Sequence, residues 1–165
     1  MPKPAPYRPR TLSPIGRVPG LDYDVLYELL GYSLRRAQVA MFVAFHEATR
    51  GMDITPPRFT ALVIVGANPG ISQTVLSQAS GRDKSSLTPA LDDLETRGLI
   101  RRERVATDRR SYALFLTPAG RTALAALDQQ ALAHNATLDR IVGAEDRDTF
   151  MRLLQKIATT LGDSA

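Results

Sequence analysis

The stretch DRRSYALFLTPAG, residues 108–120, decides the fold of this chain. Its middle part, residues 111–116, has the alternation of a partly buried strand, with Tyr112, Leu114 and Leu116 on one side. The Thr-Pro pair that follows predicts the start of a helix, because proline suits a first helical turn. The stretch therefore predicts a strand that leads directly into a helix.

A second strand-like run covers residues 99–105, and residues 106–110 join the two runs. The two runs predict a hairpin whose tip carries Asp108, Arg109 and Arg110. Arginine suits the narrow minor groove of DNA, because its guanidinium is readily desolvated and the groove has a strong negative potential. The aspartate could pair with an arginine and fix the tip. The alternative is an ordinary charged turn without a function.

Three short helices are predicted before the hairpin, at about residues 55–68, 72–81 and 83–97. They carry a Thr-Pro-Pro start, caps at Ser72 and Asp83, and a glycine after each of the last two. The apolar faces expected in the second and third helices consist of Val75, Leu76 and Ala79, and of Leu87, Leu91 and Leu94. Two short helices joined by a tight turn form a helix-turn-helix, and a hairpin directly after it is a wing. The predicted fold class is therefore mainly α with a small β wing.

The solvent-facing N-terminal half of the third helix is the candidate reader of DNA, since this half enters the major groove in a helix-turn-helix. Lysine can donate to guanine or phosphate, and serine and threonine can reach bases or backbone. The candidate DNA-binding side chains here are Lys84, Ser85, Ser86, Thr88 and Pro89. Pro89 cannot donate to the carbonyl of Ser85 and could bend the helix. The alternative is a solvated helix face without a ligand.

Together these motifs resemble the MarR family of winged helix-turn-helix regulators. From Asp108 to Gly120 the chain matches the family's wing signature, D-x-R, five residues, then L-T-x-x-G. Residues 55–59 and 83–100 resemble the start of its second helix and its recognition helix. The resemblance implies an obligate homodimer built from the first helix and the last two. It also implies binding to double-stranded DNA, with the recognition helix in the major groove and Arg110 in the minor groove.

The resemblance further implies a small phenolic or acidic effector, bound between the dimer helices and the DNA-binding lobe. The first helix offers cationic and aromatic side chains that would suit an aromatic carboxylate or the phosphates of an acyl-CoA. These candidate ligand-binding residues are Tyr32, Arg35, Arg36, Phe42 and His46. Arg35, Phe42 and His46 are spaced seven and four apart, near one face, and Tyr32 and Arg36 form an i, i+4 pair. The alternative is that the aromatic rings belong to the core and the arginines are solvated or paired across the dimer.

The flanking regions complete the predicted organisation. Residues 1–20 hold six prolines, which exclude a helix and predict an extended or disordered arm. A long helix is predicted at about residues 23–50 with Asp22 as its cap, and its apolar surface is wide enough to suggest a subunit interface. Further helices start at Thr117 and at about residue 144. The expected parts are an arm at 1–20, a helical dimerisation region at 21–53 and 118–165, and a winged helix-turn-helix lobe at 54–117.

Charge and composition add exclusions rather than a positive identification. The net charge of +4 equals the four basic residues of the proline-rich arm, so it indicates a polyanionic partner only weakly. The chain has no run long enough to span a membrane and no secretory signal, which favours the cytoplasm. Without cysteine, the oxidant-sensing branch of the family is excluded. His46 and His134 lie on different predicted helices, so no metal or other cofactor is expected.

Two other classes of function compete with a DNA-binding regulator. An enzyme is disfavoured, because the chain has no glycine-rich phosphate loop, no metal-ligand cluster and no recognisable catalytic histidine motif. A winged helix that binds only protein is disfavoured by the basic wing tip. The hypothesis is therefore a ligand-responsive transcriptional regulator, a repressor that leaves a pseudo-palindromic operator when a small aromatic acid or its CoA thioester binds.

Overall fold

The computed structural model describes residues 20–49, 52–105 and 108–162, and among these the side chains of residues 108–111 are not described. The elements are α1 (Leu30–Ala48), α2 (Pro56–Ala67), β1 (Ile71–Ser72), α3 (Gln73–Ser80), α4 (Lys84–Thr96), β2 (Ile100–Val105), β3 (Asp108–Leu116), α5 (Pro118–Val142) and α6 (Ala144–Gly162). The predicted fold class, mainly α with a small β wing, is confirmed. The predicted arm at 1–20 lies outside the described residues except for Gly20. Contacts divide the chain into two compact units, Met1–Ala44 and Phe45–Ala165.

The first unit contradicts the single long helix predicted for residues 23–50. A 3-10 helix covers Asp24–Glu28, Leu29 is extended (φ −87°, ψ 120°), and α1 begins only at the next residue. Asp22 accepts a hydrogen bond from the amide of Asp24 at 3.0 Å, so it serves the 3-10 turn rather than α1. Asp24 also has a φ of 47°, which lies outside the α-helical region that the predicted long helix requires there.

Three tyrosine rings connect this turn with the first turns of α1. The ring centroids of Tyr23 and Tyr27 lie 5.0 Å apart, and those of Tyr27 and Tyr32 lie 5.7 Å apart at 89°. Such edge-to-face pairs add to the stability gained from burying the rings. The aromatic cluster therefore favours a folded-back turn where periodicity alone predicts a straight helix.

The core of the second unit lies between α2, α3, α4, the sheet and the first half of α5. It consists of Ile54, Ala61, Leu62, Val65, Leu76, Leu87, Leu91, Leu94, Leu99, Ile100, Leu114, Leu116 and Leu127. The predicted inward face of α4 is confirmed, because its three leucines are fully buried. These side chains hold α4 on the lobe and leave its opposite face to solvent.

The predicted apolar face of α3 is only partly correct. Leu76 is buried, but Val75 is 50% exposed and Ala79 is exposed, whereas Ser77 is buried. The hydroxyl of Ser77 donates to the carbonyl of Arg82, so its burial leaves no unpaired donor. A buried serine whose hydroxyl is hydrogen-bonded therefore takes an inward-facing position in α3, where the apolar pattern predicted Val75 and Ala79.

The predicted helix boundaries around α3 and α4 are confirmed by their caps. Ser72 accepts a hydrogen bond from the amide of Val75, and Gly81 ends α3 in the left-handed region at φ 62°. Asp83 caps α4. Thr55 precedes α2 as predicted, although its side chain makes no cap hydrogen bond.

The sheet contains three antiparallel strands in the order β1-β3-β2. The two-residue β1, which pairs Ile71 with Leu114, was not predicted. The predicted loop 106–110 is also too long, because β3 begins at Asp108, which pairs with Val105. The next pair joins Arg104 to Tyr112, so three residues of β3 bulge beside the tip.

The base of the hairpin is fastened to the first turn of α5. The hydroxyl of Thr117 donates to the carbonyl of Gly98 at 2.6 Å and accepts from the amide of Gly120 at 2.9 Å. A Cβ atom at Gly120 would lie 1.9 Å from the carbonyl oxygen of Leu99. Only glycine permits this close approach of two backbone segments.

Candidate nucleic-acid interface

The first turn of α4 is organised by Asp83. Its carboxylate accepts from the hydroxyls of Ser85 and Ser86 and, at 2.9 Å, from the amide of Ser86. These hydrogen bonds, led by that of the Ser85 hydroxyl, hold the pKa of Asp83 well below its ordinary value of 3.8. Both serine protons are thus committed to the cap. The hydroxyl oxygens remain able to accept from a DNA base amino group.

The other three candidates on α4 are exposed, as predicted. The hydroxyl of Thr88 donates to the carbonyl of Lys84 at 2.8 Å and accepts from the side-chain amide of Gln73 at 2.9 Å. Gln73 belongs to α3, so this contact ties the two helices of the helix-turn-helix at their solvent-facing side. Sequence reasoning missed Gln73, whose position at the first residue of a capped helix was the available signal. Pro89 lies inside α4, as predicted.

The predicted hairpin tip differs from the structure in its backbone. Asp108, Arg109 and Arg110 belong to β3 rather than to a free loop, because the strand pairing extends to Val105. Their side chains are outside the described part of the structure, so their roles in DNA binding stay predictions.

Two further arginines stand on aromatic rings along the hairpin. The guanidinium of Arg101 lies 4.5 Å from the ring centroid of Phe115 and pairs with Glu103. That of Arg104 lies 5.8 Å from the ring of Tyr112. Cation–π contacts of this kind stabilise the position of a guanidinium. These contacts fix the positions of the two guanidinium groups along the hairpin.

Acidic side chains in the second half of α4 bind it to its neighbours. Arg102 of β2 pairs with Asp92 at 2.7 Å and with Glu95 at 2.8 Å. Asp93 pairs with Arg58 of α2 at 3.0 Å. Sequence reasoning missed all of these residues. The signal available was an inward-facing arginine in a strand and two acids spaced i, i+3 on the preceding helix.

The candidate effector residues all lie on α1. Tyr32 joins the aromatic cluster and is partly buried, as are Arg36 and Phe42, while Arg35 and His46 are exposed. The structure places the Tyr32 ring beside two other tyrosine rings. The convergence of the candidates on one ligand stays a prediction.

Sequence reasoning also missed a polar pair on α5. Oε1 of Gln130 and Nε2 of His134 are buried one helical turn apart, and neither has a hydrogen-bond partner among the described residues. The His134 ring meets that of buried Phe45 edge-to-face, with centroids 5.6 Å apart. Buried polar atoms normally have partners, so these two are able to accept a water or a ligand group.

The described ranges contain no cluster of three or more histidine, cysteine, aspartate or glutamate side chains that could hold a metal ion. None of the helices in these ranges combines the length and hydropathy of a membrane span.

Comparisons with known proteins converge on one family. The sequence model of the MarR family matches residues 52–111. The chain is 36% identical over 129 residues to a Thauera aromatica protein described as a candidate transcriptional regulatory protein for the hcr operon, covering 78% of each chain. It is 38% identical to the transcriptional repressor CouR bound to a 23-mer DNA duplex, with a TM-score of 0.75. The match covers 84% of this chain and 98% of the CouR chain. For CouR bound to p-coumaroyl-CoA the identity is 37% and the TM-score is 0.76. This match covers 84% of this chain and 97% of the CouR chain.

Proposed function

The chain belongs to the MarR family of DNA-binding transcriptional regulators, and from this premise we propose that it is a homodimeric repressor released from its operator by an aromatic acid or its CoA thioester. The observation that carries the proposal is the solvent-facing first half of α4 beside a basic hairpin. A dimer would place two such pairs about one helical turn apart on a pseudo-palindrome. We propose a cytoplasmic location, because the DNA on which the protein would act lies there.

In the proposed complex, the first half of α4 lies in the major groove. Lys84 reaches guanine or phosphate, while Thr88, Ser85 and Ser86 contact base edges or backbone. The bond from Gln73 to Thr88 limits the threonine to one position, which reduces the entropy lost on binding. Pro89 presents an apolar surface to the groove.

The hairpin is proposed to read the minor groove beside each half-site. Arg110 enters the groove, and Arg109 and Asp108 fix the approach of the tip. Because the tip residues lie in a paired and bulged strand, the arginines start from a defined backbone rather than from a free loop. Such a geometry favours A·T-rich flanks, whose minor groove is narrow and strongly negative.

We propose that the effector is an aromatic carboxylate or its CoA thioester. The CouR complex with p-coumaroyl-CoA supports this class at 37% identity. On this chain, Arg35 and Arg36 would bind carboxylate or phosphate, and Tyr32, Phe42 and His46 would line the ring. A ligand that binds the DNA-free arrangement more tightly shifts the population away from the operator.

The DNA-binding part of the proposal is tested with an operator obtained by selection from random duplexes. Arg110→Ala should abolish specific binding in fluorescence anisotropy, and binding by the unchanged protein should weaken steeply with salt, since phosphate contacts release counterions. Unchanged affinity of Arg110→Ala would refute the assignment of the wing tip.

The effector part is tested separately by thermal shift with p-coumarate, p-hydroxybenzoate and p-coumaroyl-CoA. A ligand that raises Tm should also release the protein from the selected operator, and Arg35→Ala should weaken both effects. If no compound of either class binds, the effector proposal fails while DNA binding stands.

A further inference from the structure

We infer that Arg102 is a positioning residue that fixes the wing hairpin against the reader helix α4, and so sets the spacing between major-groove and minor-groove contacts that the protein accepts. The inference rests on the proposed function, since it assigns α4 and the hairpin to the two grooves. It adds a specificity determinant that touches no DNA.

The link is made by both the backbone and the side chain of Arg102. Its guanidinium pairs with Asp92 Oδ1 at 2.7 Å and with Glu95 Oε2 at 2.8 Å. Its backbone amide donates to the other oxygen of Glu95 at 3.3 Å. The Arg102 side chain is 17% exposed, whereas Asp92 and Glu95 are 57% and 40% exposed, so the guanidinium is the part of the link that is shielded from solvent. Three contacts thus join one residue of β2 to two residues of α4.

Arg102 lies on the inner face of the hairpin. It stands opposite fully buried Leu114 of β3, and two residues after buried Ile100 on the same strand. Cross-strand partners and residues two apart share a face of a sheet. The inner face of the hairpin is therefore apolar within the core, and it carries the positively charged Arg102 at the point where the hairpin extends beyond the core.

Beyond that point, an open cleft lies beside these ion pairs, between the hairpin and α4. The cleft has a volume of about 420 Å³ and is lined by Gln73, Thr88, Asp92, Glu95, Arg102 and Tyr112. Apolar core contacts therefore stop short of this region, and the ion pairs span it. Removing them leaves the outer hairpin attached through its two strands and through the short pairing of β3 with β1, which ends at Ala113.

The link also lies at a similar distance from both proposed contact regions. Val105, beside the tip, is three residues beyond Arg102, roughly 10 Å along the strand. Lys84 is eight residues before Asp92, roughly 12 Å along the helix. Recognition geometry has to be held to about 0.5 Å, so a loosened joint would blur the spacing between the two contacts.

The substitution Glu95→Gln separates the effect of charge on DNA affinity from the effect of the Arg102 link on discrimination between DNA spacings. Glu95→Gln removes a negative charge near DNA, which by itself strengthens binding to the polyanion. If Glu95 serves to hold Arg102, the same substitution weakens discrimination between DNA spacings. Arg102→Met removes the same link from the other side while keeping the length of the side chain.

The experiment compares these variants on three duplexes by fluorescence anisotropy, using the full chain. The duplexes are the selected operator, one with G·C pairs in place of A·T in the flank under the wing, and one with a base pair inserted between half-site and flank. Arg101→Met is the matched control, since it removes one positive charge from the neighbouring residue on the opposite face of β2. The reciprocal exchange, Arg102→Glu with Glu95→Arg, tests rescue.

We expect the unchanged protein and Arg101→Met to prefer the selected operator over both altered duplexes by at least about tenfold. Arg102→Met and Glu95→Gln should bind the three duplexes within about threefold of each other, and the reciprocal exchange should restore most of the preference. Full preference in both folded single variants would overturn the inference, as would tighter binding of Glu95→Gln to all three duplexes with preference intact. If the unchanged protein selects no operator at all, the proposed function fails first, and the inference fails with it.

Discussion

Asp83 keeps a negative charge at the start of the helix that is proposed to meet DNA phosphates. Its hydrogen bonds to Ser85 and Ser86 explain why the charge is retained, since three donors converge on one carboxylate. The lowered pKa has a defined consequence for stability. A carboxyl whose pKa is depressed by folding stabilises the folded state fully above its ordinary pKa, and progressively less as the pH falls below it.

Asp83→Asn tests this consequence, because asparagine is an equally good cap without a charge to titrate. The unchanged protein should be more stable than the variant at pH 6, and the difference should shrink as the pH falls below 3.8. Urea denaturation of both proteins between pH 3 and pH 6 measures it. A difference that grows on acidification would contradict the assignment.

His134 presents the opposite situation, a buried nitrogen to which no described residue forms a hydrogen bond. His134→Phe keeps the ring against Phe45 and removes the unpaired atom, so we expect the free energy of unfolding to rise by up to about 1 kcal/mol. His46→Phe, at an exposed position of α1, is the control and should give no gain. Urea denaturation at one fixed protein concentration measures both. Destabilisation of His134→Phe by more than about 1 kcal/mol would show that Nε2 has a partner in solution.

At the scale of elements, the contact between α5 and Leu99, the residue before β2, depends on one glycine. Gly120→Ala places a Cβ atom against the backbone carbonyl of Leu99, where no side chain can move aside. We expect a loss of at least about 2 kcal/mol, in the upper range for overpacking, seen as a lower urea midpoint. Gly31→Ala in α1 is the matched control, because no atom lies within 4 Å of its Cβ position. It should be neutral or stabilising by up to about 1 kcal/mol.

The elements most accurately predicted from the sequence are those with caps. Ser72, Gly81 and Asp83 act through hydrogen bonds and dihedral angles that involve neighbours in sequence, so their patterns can be read directly. The break at Leu29 could not be read in this way, because it depends on packing between tyrosine rings. The early start of β3 depends equally on a cross-strand pair, Val105 with Asp108.

In the candidate site, too, features set by neighbours in sequence were predicted, and features that depend on contacts between elements were missed. The exposed face of α4 follows from the spacing of its three buried leucines, and the sequence predicted it correctly. Arg102 was missed, because its partners Asp92 and Glu95 lie on another element and only the fold brings them together. Gln73 was missed for the same reason, since its contact with Thr88 spans the helix-turn-helix.

At the scale of the whole molecule, large apolar side chains lie exposed on the last two helices of the single chain. Those on α5 and α6 are Leu132, Ile141, Phe150, Met151, Leu153 and Leu161. Exposed apolar surface of this extent marks an interaction site, which supports the proposed homodimer. The surface lies outside the winged lobe, so a second copy could cover it and leave both readers free.

Leu161→Asp tests this surface, because it introduces a charge at an apolar side chain that is 67% exposed in the single chain. We expect the dimer dissociation constant to rise at least about tenfold, and the affinity for the two-site operator to fall with it. Thr159→Asp introduces the same charge at an exposed position roughly 160° around α6 from Leu161 and should change neither. Analytical ultracentrifugation provides the dissociation constant. Equal dimerisation of the two variants would remove α6 from the interface.

The threonine that bridges Gly98 and Gly120 has a practical meaning for building biosensors from this chain. The hydrogen bonds of Thr117 join it to both ends of the segment 97–120. This segment therefore forms a cassette that can be exchanged as one unit between regulators. A graft cut between strand and helix would separate Thr117 from one of its two partners. Exchanging the wing while keeping the reader helix and a chosen inducer therefore calls for seams at the end of α4 and beyond the first turn of α5, between regulators that both carry the acids paired with Arg102.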